Sequence, residues 1–138
     1  MIVLDTNVVS ELIRPLPDAR VLRWFEMIDQ KQIRITTVTV AEMLAGANRM
    51  DDSPRARLKA DVILETIESF HRRTLSFGIV AAAECASITS LRASVGRPIG
   101  LADAMIAATA IAAEADAIAT RDKDFADVGL PVLDPWSV

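Results

Sequence analysis

The chain opens with Met1-Ile2-Val3-Leu4, an apolar run that stops abruptly at Asp5-Thr6-Asn7. Four apolar residues are too few for a helix and read as a strand buried on both faces. A strand of that kind belongs to a parallel sheet with helices on either side, and it places Asp5 at its carboxyl end. In open sheets of this class ligands bind at the carboxyl ends, because the connections to the following helices splay apart and leave a crevice.

The rest of the chain alternates as such a sheet requires. Residues 8–13 have helical character and Arg14-Pro15-Leu16-Pro17 stops them; Asp18 begins a second helix with a core face of Val21, Leu22, Phe25 and Ile28. Ile33-Arg34-Ile35-Thr36 is a second strand. Thr37 to Thr39 offers N-caps for a third helix reaching about Arg49, with Glu42 in its first turns. Ser53-Pro54 starts a fourth helix carrying Leu58, Val62, Ile63, Ile67 and Phe70. Residues 74–77 are a short third strand, 79–95 a long alanine-rich helix ended by Gly96, and Arg97-Pro98-Ile99-Gly100 a loop. A last alanine-rich helix spans 101–115, with Asp103 in its first turn. Residues 117–120 and 131–133 are the fourth and fifth strands, and Arg121-Asp122-Lys123-Asp124-Phe125 follows the fourth. Strands alternating with helices predict an α/β fold, a parallel sheet covered on both faces and joined by right-handed crossovers.

At 138 residues without an internal repeat, low-complexity tract or linker, the chain is expected to form one domain over residues 1–138. The single cysteine, Cys85, excludes an internal disulfide and sits in a helical run as an inert buried thiol. The single histidine, His71, excludes a His-rich zinc site and makes a Ser-His-Asp triad a poor reading; beside Arg72 and Arg73 it suits a helix carboxyl end. Asp5 interrupts the N-terminus before an apolar leader could form, and the longest nearly apolar stretch, 104–113, is half a membrane span. The expectation is a cytoplasmic protein with no membrane partner. Nineteen acids against 15 bases give a net charge of −4. That argues against indiscriminate phosphate binding, while leaving open a nucleic-acid substrate reached through a divalent cation.

Asp5 and Asp122 close two strands at the same end of a parallel sheet, so they are neighbours if their strands are. Asp103 opens a helix and Glu42 lies near the start of another, and helices that follow strands begin at that same edge. Each has a plain structural reading. Asp103 would serve as an N-cap or first-turn acid, Glu42 as a solvated helix residue, and Asp5 and Asp122 as turn residues. Asp103 nevertheless shares a face with Ile106, Ala107 and Ala110, and Glu42 has small neighbours in Ala45 and Gly46.

Physics constrains the four jointly. Two carboxylates 4 Å apart repel by about 4 kcal/mol at an effective dielectric of 20, so four in one pocket need protons or a cation. Oxygen donors without sulfur or imidazole favour Mg²⁺ or Mn²⁺. An ion there would polarise a phosphodiester and lower the pKa of bound water. No histidine or lysine is placed to drive cyclising attack by a ribose 2′-hydroxyl, so hydrolysis leaving 5′-phosphate and 3′-hydroxyl ends is expected. Arg97, Arg121 and Lys123, in loops near this place, are candidate phosphate contacts.

Leu4-Asp5-Thr6-Asn7, Val40-Ala41-Glu42, Leu101-Ala102-Asp103-Ala104-Met105-Ile106-Ala107-Ala108-Thr109-Ala110 and Ala119-Thr120-Arg121-Asp122 together resemble the PIN-domain ribonucleases, and most nearly the VapC-type toxins of type II toxin-antitoxin modules. The resemblance covers essentially the whole chain, down to Val132-Leu133-Asp134-Pro135-Trp136. It implies a three-layer α/β/α fold with a five-stranded parallel sheet. It implies a metal-dependent endoribonuclease whose Mg²⁺ or Mn²⁺ is held by Asp5, Glu42, Asp103 and Asp122. Thr6, Asn7 and Thr120 would be supporting polar groups. Many members have Asn at the position of Asp122 and a further acid or histidine at that of Asp124, so the fourth ligand is shared between these two or falls to Asp122. The implied partners are an RNA substrate, a second copy in a homodimer, and a small antitoxin whose tail covers the acidic pocket, often with an inserted arginine.

Other classes fit less well. A phosphotransfer receiver would want an acidic pair after the first strand and an aspartate ending a middle strand, where this chain has Thr36 and Phe77-Gly78. A phosphatase with an aspartyl nucleophile would want Asp-x-Asp, and Asn7 cannot act as the acid/base. A catalytically idle relative that keeps the acids only to bind RNA or a partner has the same sequence signature.

Overall fold

A computed structural model describes residues 1–137. Five strands, β1 (Ile2–Leu4), β2 (Ile33–Thr36), β3 (Thr74–Leu75), β4 (Ala117–Ala119) and β5 (Val132–Leu133), form a parallel sheet in the order β3-β2-β1-β4-β5. The six α-helices are α1 (Thr6–Leu12), α2 (Ala19–Met27), α3 (Thr37–Asn48), α4 (Pro54–Ser69), α5 (Ile79–Ser94) and α6 (Leu101–Ala112).

The pleat divides the strands between two cores, since successive side chains point to opposite faces. Val3 and Ile118 pack with Ala81, Cys85 and Ile88 of α5 and with the alanine face of α6. Leu4 and Ala119, the next residue on each strand, pack with Val8 and Val9 of α1, Val21 and Trp24 of α2, Met43 of α3 and Ile63 of α4. The result is the three-layer α/β/α sandwich expected from sequence. Cys85 is free and buried, and burial pushes its thiol up from the ordinary range. No helix among the described residues is long and apolar enough to cross a membrane.

Three departures from the sequence reading have local causes. α1 starts at Thr6, earlier than the apolar pattern at residue 8 suggests, because Asp5 caps it: its Oδ1 accepts from the Thr6 amide at 2.6 Å. α6 stops at Ala112 although no glycine marks the end. Glu114 takes the left-handed conformation (φ 55°), with Ala115 N donating to Ala110 O at 3.0 Å and Glu114 N to Ile111 O at 2.9 Å. This is the closing pattern usually made with glycine, here carried by a glutamate. α5 ends the same way with Gly96 (φ 70°), as its sequence announces. On α4 Ile63 is buried, as is Phe70 at its C-cap, whereas Leu58 (68% exposed) and Val62 (39%) face a groove instead of the core.

Candidate metal centre

The strand order reverses direction between β1 and β4: the chain runs outward from β1 through β2 to β3, then returns to place β4 on the other side of β1. Connections leave such a point in opposite directions, so the crevice expected at the carboxyl edge lies between these two strands. Their register pairs Ile2 with Ala117, Val3 with Ile118 and Leu4 with Ala119. One residue further on, the ladder delivers Asp5 and Thr120 side by side.

A hydrogen-bond network fixes that pair. The Thr120 hydroxyl donates to Asp5 Oδ2 at 2.8 Å. Its single proton being spent, Thr120 Oγ1 accepts from Asn7 Nδ2 at 3.1 Å and from the Asp122 amide at 3.0 Å. This orients the Asn7 amide and leaves its Oδ1 buried with no donor among the described residues. Asp5 is 4% exposed. Across the crevice, Thr36 caps α3 by accepting from the Thr39 amide, which sets the helix so that Glu42 reaches the site and its Oε2 accepts from the Thr6 hydroxyl.

Asp103 lies in the first turn of α6, but Gly100 is the N-cap residue and makes no side-chain cap, so Asp103 is not consumed by capping. Asp103, Asp122 and Asp124 each offer one carboxylate oxygen within 4.8 Å of the other two. Asp122 also caps the short turn Lys123–Phe125, accepting from the Asp124 amide at 2.9 Å. Asp5, Glu42, Asp103 and Asp122, with Thr6 and Asn7, line one cavity. Residues from both ends of the chain thus meet at one edge of the sheet.

The electrostatics show the strain of assembling them. Burial, and then the charges of Asp103 and Glu42, outweigh the hydrogen bonds from Thr120 and Thr6 and push the Asp5 carboxyl up to about 6. Burial, followed by the charges of Asp122, Glu42 and Asp124, raises Asp103 to about 6 as well. Among the described residues Asp103, Asp122 and Asp124 form the close group of donors, at spacings one hard cation can bridge directly or through a water, while Asp5 and Glu42 line the same cavity without joining that group. Two oxygens bound to one Mg²⁺ stand about 3 to 4 Å apart. The residues fit a divalent ion of the Mg²⁺ class.

The basic residues divide differently from expectation. Arg97 pairs with Asp127 at 3.0 Å, and the Arg121 guanidinium lies 4.6 Å from the Trp136 ring centroid. Lys123 is exposed. The cations that line the acidic cavity are instead Arg14, in the loop between α1 and α2, and Lys59 of α4. Sequence reasoning missed both because each comes from a segment without a recognisable motif. Glu11 lines the cavity too, but it accepts from the Asp18 amide at 2.8 Å and from Arg14 Nη1 at 3.0 Å, tying α1 to α2. Those contacts, led by the Asp18 amide, hold its carboxyl below the usual range.

Comparison with known proteins gives the family. The family described as PIN domain matches residues 2–130. The VapC ribonuclease Y4jK of Sinorhizobium fredii is 36% identical over 99% of this chain and 98% of its own length. Toxin FitB of Neisseria gonorrhoeae is 35% identical over 99% of both chains. Among solved structures, FitAcB from Neisseria gonorrhoeae superposes with a TM-score of 0.86 at 35% identity, covering 100% of each chain.

Proposed function

Because the chain belongs to the PIN-domain family, we propose that it is a divalent-metal-dependent endoribonuclease and the toxin of a toxin-antitoxin pair. The observation that carries this reading is the group of three carboxylate oxygens from Asp103, Asp122 and Asp124 within 4.8 Å, in a crevice that Asp5 and Glu42 also line. Asp5, Glu42, Asp103 and Asp122 would hold the ion, Mg²⁺ or Mn²⁺, with Asp124 sharing the role of Asp122. When bound, the cation supplies Lewis acidity toward a phosphodiester oxygen and lowers the pKa of a ligated water.

The protein's own groups do the positioning. Thr120 keeps the Asp5 carboxylate aimed along the β4 edge, and Thr6 holds Glu42 opposite. Asn7, whose Nδ2 donates to Thr120 Oγ1, steadies the threonine that bonds both Asp5 and the Asp122 amide. Water oxygen adds to phosphorus, the bond to the 3′ oxygen breaks, and that oxygen takes a proton, leaving 5′-phosphate and 3′-hydroxyl ends. Lys59 lines the cavity, contrary to the expectation that no lysine is placed there, so the ends left on the products decide between hydrolysis and cyclisation. Arg14 and Lys59 contact phosphates beside the scissile one, with Lys123 a further candidate.

Two surfaces support partners. The groove between α1, α3 and α4, with Met43, Leu58 and Val62 in its wall, shares Thr6, Glu42, Arg14 and Lys59 with the acidic cavity. It suits an antitoxin segment that brings an arginine to the carboxylates, since a guanidinium pairs bidentately with them and excludes the metal. Val80, Leu91 and Val95 of the α5 region are 60%, 61% and 59% exposed and lie on one side of the helix, which suits a homodimer contact.

The test is cleavage of RNA by purified wild type and Asp5→Asn, each with Mg²⁺ or EDTA. Cleavage confined to wild type with Mg²⁺, giving 5′-phosphate ends, is the expected result. No cleavage of any RNA would leave an idle binding module, and 2′,3′-cyclic phosphate products would overturn the mechanism.

A further inference from the structure

Arg92, on the last turn of α5, is 4% exposed, yet no carboxylate pairs with it among the described residues. Three of its five guanidinium protons go to backbone carbonyls. Nε donates to Arg97 O at 2.7 Å, and Nη1 donates to Asp124 O and Ala126 O, both at 2.8 Å. Burying a cation without a counter-ion is costly, and an apolar side chain of similar volume would fill the space more cheaply. What the guanidinium adds is reach in two directions. Arg97 begins the loop that leads through Gly100 into α6 and Asp103, while Asp124 and Ala126 belong to the turn that carries Asp122 and Asp124.

The attachment at the first loop is reciprocal: the Arg97 amide donates to Arg92 O at 2.9 Å while Arg97 O accepts from Arg92 Nε. The second loop is held at two carbonyls by one nitrogen, and neither loop is part of the sheet. From these contacts we infer that Arg92 is a positioning residue: its planar fork sets the separation between Asp103 and the Asp122 and Asp124 pair, and so the cation-binding geometry of the centre. The link to cation binding rests on the metal-dependent reading above; the clamping of the two loops does not. Lysine in its place would keep the charge but present a single point donor, which cannot span both loops.

The full-length chain is compared with Arg92→Lys and Arg92→Met, and with Val21→Ala, a buried deletion on α2 in the opposite layer that serves as the control for general destabilisation. Metal-free hydrogen exchange is followed at the amides of residues 97–104 and 122–126, and Mn²⁺ affinity by electron paramagnetic resonance. In Arg92→Lys both loops should exchange at least tenfold faster and Mn²⁺ should bind at least tenfold more weakly, with Val21→Ala at wild-type values for both. Arg92→Met should show the larger loss; if it fails to fold, Arg92→Lys decides alone. Unchanged exchange in both loops of Arg92→Lys, or an equal rise in Val21→Ala, overturns the clamp. Faster exchange with unchanged Mn²⁺ affinity overturns its role in the ion site. If wild type itself takes up no Mn²⁺, the metal-dependent reading falls, while the exchange result still decides whether Arg92 holds the loops.

Discussion

Asp103 is the residue at which capping and ion binding make opposite predictions. A capping acid loses stability when neutralised, whereas an acid crowded by other carboxylates gains. Since α6 begins on Gly100 with no side-chain cap and Asp103 is raised to about 6, Asp103→Asn in EDTA at pH 7 should unfold at the same urea concentration as wild type or a higher one. Cleavage with Mg²⁺ should fall by about two orders of magnitude or more, as when a group stabilising developing charge is removed. Asp5 and Asp103 also set a pH dependence. Both bind protons more tightly in the folded chain than at their ordinary value of 3.8, so between about pH 4 and 6 the folded state carries more protons than the unfolded one. Stability without metal should therefore fall as pH rises through that window and level off above it. For buried Asp5 the loss reaches about 3 kcal/mol. Urea denaturation in EDTA at pH 4.5 and 7 measures it, and saturating Mg²⁺, which holds the carboxylates ionised, should remove the difference.

The junction of β1 and β4 is held together at the site end by Thr120, whose hydroxyl bonds to Asp5, Asn7 and the Asp122 amide. Thr120→Val strands all three partners and should cost about 3 kcal/mol by urea denaturation, while Thr120→Ser, which keeps the hydroxyl, should cost far less. The strands and their order along the chain were legible because β-branched runs and turn residues declare themselves locally, and Asp5 at a strand end follows from four apolar residues. Asp5, Glu42, Asp103 and Asp122 could be read as sharing one edge for the same reason, since each follows a strand or lies in the first turns of a helix there. The end of α6 could not, because Glu114 takes a conformation that sequence patterns assign to glycine. Nor could Arg14, Lys59 and Arg92 be placed, since their roles depend on which loops come together across the fold. A surface arginine and a buried clamp have the same letter.

For the molecule as a whole, the acids are tolerable only when something answers their charge. Metal that binds the folded chain alone stabilises it by mass action, by about 2.7 kcal/mol at one hundred times its dissociation constant. For a chain of this size that is a rise of about 8 °C in melting temperature. Differential scanning calorimetry against Mn²⁺ should show it in wild type and not in Asp103→Asn; a flat titration into the millimolar range would count against the centre. The pairing of β1 with β4 joins residues more than a hundred positions apart. A ribosome that has released only the first hundred residues has therefore produced Asp5 and Glu42 but nothing to complete the cavity. The site is therefore assembled last, when the returning strand slots in beside the first.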